Sequence, residues 1–402
     1  MASPRGALLI LAGAVIVDPD VEPIRPGGIV VADGRIVAVG RTDVLAGQWP
    51  EVDRIDLGRL TMLPGLIDAH VHLCYGGSED DEGARQQGTD EEQVAEAMMG
   101  HARELTEAGV TTARDLGSPG QLGVRVRDAL AHGLGVGPRL LVANAPLTTV
   151  GGHAWQHGGT CGDVRALRQR VRERHDEGAD LVKVMVTGGG TTPGSDPARL
   201  QFGLAEVRAV VEEADALGMP VVAHAHGTEG IAVSLGAGVS TIEHCTWMGE
   251  GKAIGAAWDP GLVVELARRG TPVCPTASAL WDGMPEARRR AKVDTVRRMH
   301  RAGVRLIAGT DAGVKRVRHA DYARGLAALH ECGLSAREVL SAATKAAAAA
   351  LGVGHHVGTL EPTKTADVIA VDGNPLEDVS SLGNVKWVMC GGVVVRSAAD
   401  GG

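Results

Sequence analysis

The chain has 402 residues, 44% hydrophobic and 22% charged, with a formal net charge of −9 at pH 7. The length suits one large domain plus an accessory unit, and the acidic balance argues against a nucleic-acid partner, which would need a basic face. Cys74, Cys161, Cys245, Cys274, Cys332 and Cys390 are scattered with no CxxC pair, which points to free thiols in a reducing, cytoplasmic setting rather than a disulfide framework.

Residues 1–62 read as β structure. The apolar run 7–17 follows Arg5 but ends in Asp18-Pro19-Asp20 rather than a small-residue cleavage site. It is too short to span a bilayer, so one or two buried strands are expected, and no membrane partner. Runs 29–32 and 35–39 flank Asp33-Gly34, a two-residue hairpin signal.

The centre of the chain alternates strands with helices. Strand-like runs fall near 63–71, 110–114, 139–143, 180–186, 220–225, 240–244, 271–274 and 304–309. Helical stretches such as 92–108, 164–177, 204–217 and 260–269 separate them. Eight strand–helix units imply parallel connections and a closed (β/α)8 barrel. Long loops at 73–91, 144–163 and 187–203 would face the substrate. Ser335-Ala336-Arg337-Glu338 is a capping box that opens a final Ala-rich helix, stopped by Gly352.

Residues 358–402 return to β, with strands at 366–371, 385–389 and 393–395. The expected organisation is an α/β chain: a TIM barrel over 63–357, with a small composite β-sandwich built from 1–62 and 358–402.

The chemistry lies at the downstream ends of the strand-like runs, which in a barrel converge on one mouth. His70 and His72 stand at i and i+2 and share a strand face. Two imidazoles so placed can hold one cation. His224, His244 and Asp311 end three later runs. Lys183 sits inside the apolar run Leu181-Val182-Lys183-Val184-Met185-Val186. A buried lysine tends to lose its proton. As a neutral amine it can capture carbon dioxide, and the resulting carbamate can bridge two cations.

Pro64-Gly65-Leu66-Ile67-Asp68-Ala69-His70-Val71-His72 and Gly309-Thr310-Asp311-Ala312-Gly313 resemble the strand-one and strand-eight motifs of the amidohydrolase superfamily, in its binuclear, carboxylated-lysine branch. Thr111–Gly117, Gly151-Gly152-His153, Gly188-Gly189-Gly190 and Ala223-His224-Ala225-His226-Gly227 are similar to imidazolonepropionase-related enzymes of the Xaa-Pro and Xaa-Arg dipeptidase and ochratoxinase type.

The resemblance implies a hydrolase that cleaves a C–N amide bond of a dipeptide or N-acyl amino acid. His70, His72 and Asp311 would bind one metal and His224 and His244 a second. Carboxylated Lys183 and a hydroxide would bridge the two. Zinc is the expected metal, with manganese or cobalt as substitutes. Asp311 would shuttle the proton, His153 would steady the oxyanion, and His226 would stand behind the ligands or face the substrate. The cations of Lys315-Arg316-Val317-Arg318 follow Asp311, so Arg316 or Arg318 is expected to clamp a substrate carboxylate. The partner is a small-molecule substrate and the expected assembly a homo-oligomer. Two other readings stand beside this one. His226-Gly227-Thr228-Glu229 resembles the HxxE signature of mononuclear deaminases, which leaves a mononuclear-metal deaminase or cyclic-amide hydrolase as the alternative enzyme, and a barrel can serve as an inactive scaffold.

Overall fold

Residues 6–78 and 90–397 are described in the computed structural model, so residues 79–89 of the expected loop 73–91 lie outside the described residues. Both ends of the chain enter one sandwich. Its first sheet runs in the order Arg35–Arg41, Gly27–Ala32, Leu8–Ala12, Asp53–Asp56. The hairpin turn at Asp33-Gly34 forms with positive φ at both residues, 50° and 71°, the combination a type I′ turn requires.

The second sheet joins the termini. Val368–Val371 pairs antiparallel with Thr61–Pro64 on one side and with Val385–Cys390 on the other. Ile10, Ile29, Met62, Val368 and Trp387 pack between the sheets, while Leu9, Val30 and Leu45 form a second cluster beneath the helix Thr42–Gln48. Leu8–Ala12 therefore buries both faces, which is why its sequence reads as an unbroken apolar run rather than an alternating one.

The chain leaves the sandwich at Gly65. A Cβ there would stand 2.0 Å from Thr111 Oγ1, so the close approach of the first two barrel strands requires glycine. The parallel strands Leu66–Val71, Val110–Asp115 and Arg139–Val142 form one arc of the barrel. Val182–Met185, Val221–Gly227, Thr241–Met248 and Val273–Cys274 form another.

Two seams of backbone hydrogen bonds complete the ring. Asp180 N donates to Val142 O and Leu147 N to Lys183 O. On the other side Ile307 N donates to Val273 O and Ala69 N to Ala308 O. Residues 304–309 make only an isolated bridge at Leu306 rather than the regular strand expected from their apolar sequence. Amphipathic helices cover the outside. Leu204–Ala216, for example, buries Val207, Val210, Val211 and Ala214 at helical spacing.

The capping box at Ser335–Glu338 is present, but the Ala-rich stretch is two short helices, Ala336–Ala342 and Lys345–Ala350. Ala342 O accepts from Ala308 N and Ala343 O from Ile67 N. Those carbonyls are spent on the barrel floor, so the helix breaks before Thr344, whose backbone leaves the helical region. Among the described residues, no helix is long and apolar enough to cross a membrane.

Candidate metal centre

The downstream ends of the barrel strands meet in one cavity, lined by His70, His72, His153, Lys183, His224, His226, His244 and Asp311. Residues up to 241 positions apart in sequence are thus brought to a single volume (Asp311 minus His70). Arg316 and Arg318 are not among its lining residues.

His70 and His72 share a face of the first barrel strand. His70 Nδ1 lies 2.8 Å from Glu243 Oε2, and His72 Nδ1 lies 3.1 Å from Gly117 O. With a proton on each Nδ1 pointing outward, each ring turns an Nε2 lone pair to the cavity. The two Nε2 atoms are 3.3 Å apart, and Asp311 Oδ1 lies 3.2 and 3.3 Å from them. Three acceptors thus crowd one point, an arrangement that a cation relieves.

Burial raises the carboxyl of Asp311, but the neighbouring His70 and then His72 rings outweigh this and hold it well below the usual carboxylate range. Its amide N–H donates to His70 O at 2.8 Å, pinning a backbone with φ of 63°. His244 is likewise left-handed, with φ of 72°. Such conformations cost roughly 1–3 kcal/mol each and gather at working sites.

His224 and His244 lie within the fifth and sixth strands. His224 Nε2 lies 3.0 Å from Gly188 O, and His244 Nδ1 lies 3.0 Å from Thr276 Oγ1. Burial first, and then the neighbouring His226 ring, hold both far below the ordinary imidazole value, so both keep a lone pair. His226 stacks on His244 with ring centroids 4.3 Å apart, and its Nδ1 lies 3.0 Å from Thr246 Oγ1. Ligand-type atoms of His224, His226 and His244 fall within 4.8 Å of one another, as do those of His70, His244 and Asp311.

Between the two groups stands Lys183, 1% exposed, whose Nζ has no hydrogen-bond partner among the described residues. Burial brings its amine down to about 8, against the opposing pull of Glu243 and Asp311. His153 rests over Gly189, where a Cβ would come within 2.3 Å of its Nε2. Its Nδ1 lies 3.0 Å from Thr192 Oγ1, which also accepts from Ala154 N.

The expected carboxylate clamp is placed differently. Arg318 is exposed and faces Asp321, with Nε 3.3 Å from its carboxylate. Arg316 is exposed, and its backbone N donates to Gly77 O. Neither side chain lines the cavity. Arg288 and Lys292, on the helix Glu286–Arg301, line the cavity instead. Glu229 of the HxxE pattern is exposed on the outer wall and does not line it either.

The sequence reading also missed Glu243 and Arg114. Arg114 Nη2 donates to Glu243 Oε1 at 2.9 Å, and its Nε donates to Ala69 O at 2.8 Å. Each is a charge inside a buried strand, the same signal that singled out Lys183.

A model of the amidohydrolase family matches residues 61–395. The chain belongs to the amidohydrolase family. Its fold is the (β/α)8 barrel with a composite β-sandwich, and it is a metal-dependent hydrolase acting on C–N amide bonds. A solved Xaa-Pro dipeptidase with methionine bound in its active site superposes with a TM-score of 0.85 at 31% identity, covering 97% of this chain and 100% of the other. Ochratoxinase of Aspergillus niger is 27% identical over 427 residues, 96% of this chain and 86% of the relative. Imidazolonepropionase of Symbiobacterium thermophilum is 31% identical over 378 residues, covering 86% and 84%. In this amidohydrolase the His and Asp groups converge at the barrel mouth, and small molecules are the substrates.

Proposed function

We propose that this amidohydrolase cleaves the amide bond of a dipeptide or N-acyl amino acid. Two divalent cations would be held by His70, His72 and Asp311 on one side and by His224 and His244 on the other, with Lys183 between them as a carbamate. The observation that carries the reading is Lys183: a sealed amine with no hydrogen-bond partner among the described residues, flanked by two groups of metal-type donors. A neutral amine attacks carbon dioxide, an N–C bond forms, and the proton leaves to solvent. The product is an anion with two oxygens, which removes the cost of an ammonium beside metals. Imidazole and carboxylate donors suit zinc, and manganese or cobalt fit the same set.

When bound, the cations supply Lewis acidity at neutral pH. The protein's own groups do the rest. Asp311, anchored through its backbone to His70, accepts the proton of the attacking water and returns it to the leaving nitrogen. Thr192, which accepts from Ala154 N, gives its own proton to His153 Nδ1, so that the ring offers Nε2–H to the developing oxyanion. His226 packs against His244 and holds that ring in place. The outward position of Glu229 speaks against the deaminase alternative, since that carboxylate would have to reach the reacting ring.

The test is a screen of dipeptides and N-acyl amino acids with metal-loaded protein, paired with metal analysis. Two equivalents of metal and release of an amino acid are expected. One equivalent, with ammonia released from a heterocycle, would replace this reading with a deaminase.

A further inference from the structure

The helix Glu286–Arg301 carries seven basic side chains of Arg or Lys type, at positions 288, 289, 290, 292, 297, 298 and 301. Three of them pair with acids, while Arg301 is exposed and forms no ion pair among the described residues. Arg289 pairs with Glu331, Arg290 with Glu286 at 2.8 Å, and Arg297 with Asp294 at 2.7 Å. Arg298 lies over the Trp258 ring, 3.9 Å from its centroid.

Arg288 and Lys292 are different. They stand one turn apart on the face that lines the cavity, and among the described residues neither forms an ion pair. Lys292 Nζ sits 4.8 Å from the centroid of the Trp281 ring, which steers the ammonium into the cavity. Arg288 is exposed at the mouth and Lys292 half-buried below it.

We propose that Arg288 and Lys292 hold the substrate's α-carboxylate and so place the scissile amide over the metal-type cluster. The assignment rests on the hydrolase reading above and moves the clamp from the strand-eight loop to this helix. Arg288 meets the anion at the rim, and Lys292 seats it inside. The cavity's apolar lining is formed by Met185, Met248, Leu280, Trp281 and Met284. The substrate class is therefore an amide whose amine-side residue bears a free carboxylate and an apolar side chain.

The experiment compares Ala-Leu with its C-terminal amide, following cleavage of the peptide bond by the parent, Arg288→Met and Lys292→Met, with metal content measured in each. Methionine keeps the packing stem on Trp281 while removing the charge. Charge-assisted hydrogen bonds of this kind predict that the ratio of kcat/KM for acid over amide falls about 10- to 100-fold in each variant, mostly through KM, with metal content as in the parent. A ratio unchanged from the parent overturns the proposal, and so does a parent that cleaves acid and amide equally well. If the loaded parent cleaves no amide, the hydrolase reading fails separately. Calorimetric binding of L-leucine against L-leucinamide then decides the clamp: tighter binding of the acid by the parent, lost in Lys292→Met, supports it, and equal binding overturns it.

Discussion

His70 Nδ1 lies 2.8 Å from Oε2 of Glu243, with both side chains sealed from solvent, and Arg114 holds the other carboxylate oxygen at 2.9 Å. The carboxylate orients the ring, and the guanidinium keeps the carboxylate charged: burial raises Glu243, but Arg114 and then His70 bring it down to about 2. Glu243→Gln should weaken metal binding about 10- to 100-fold, the usual cost of losing the partner of a metal-binding histidine. Glu243→Ala, which strands Arg114, should also cost about 3–5 kcal/mol in chemical denaturation. Competition with a chelator of known affinity measures the first effect, and unchanged affinity would remove Glu243 from the site.

Lys183→Ala should lose metal down to one equivalent or none and abolish turnover, with partial rescue by short carboxylic acids that replace the carbamate. Full metal content and activity in the mutant would sink the two-metal reading.

The same lysine gives a pH signature in metal-free protein kept free of carbon dioxide. Its amine lies at about 8 in the fold against 10.5 ordinarily. The unfolded chain thus keeps the proton longer, and stability should rise as pH climbs from about 8 to 10.5. Below that window the fold carries the full cost of the buried charge. Denaturation midpoints of parent and Lys183→Met, taken across the window, should show a rise in the parent that the mutant lacks.

Asp311→Asn keeps a coordinating oxygen but cannot take a proton. It should lower kcat about 10²- to 10⁴-fold with a smaller change in KM, while circular dichroism stays as in the parent. A near-normal kcat would exclude Asp311 from proton transfer.

His153→Ala removes the proposed oxyanion donor, whose ring centroid stands 4.7 Å from that of His224. A loss of about 10²- to 10³-fold in kcat is expected, with metal content unchanged. A mutant that loses metal as well would show that the ring supports the cluster rather than the oxyanion.

The barrel and the cluster at its mouth were legible in the sequence because their signals are local. Alternating strand and helix patterns mark the parallel fold, and a hydrophilic side chain at the end of an apolar run stands out wherever it occurs. His70, His72, Lys183, His224, His244 and Asp311 all carry that mark. The turn at Asp33-Gly34 and the cap at Ser335 are short-range chemistry of the same kind. Other features depend on partners far along the chain. Arg114 and Glu243 are 129 residues apart, so their pairing had no local trace. The helix that ends before Thr344 looks continuous until Ala308 and Ile67 take its carbonyls.

The direction of a loop is the clearest case. Basic residues follow Asp311 in sequence, yet neither Arg316 nor Arg318 lines the cavity, and Arg318 pairs with Asp321 instead. Arg288 and Lys292, unremarkable within a strongly basic helix, face the cavity because the apolar face of that helix, through Val293, Val296 and Met299, packs onto the barrel and sets its rotation. Residue type and spacing determined which groups could do chemistry at the mouth. Packing decided which cations reach it, because a helix's rotation and a loop's path follow from long-range burial and backbone hydrogen bonds.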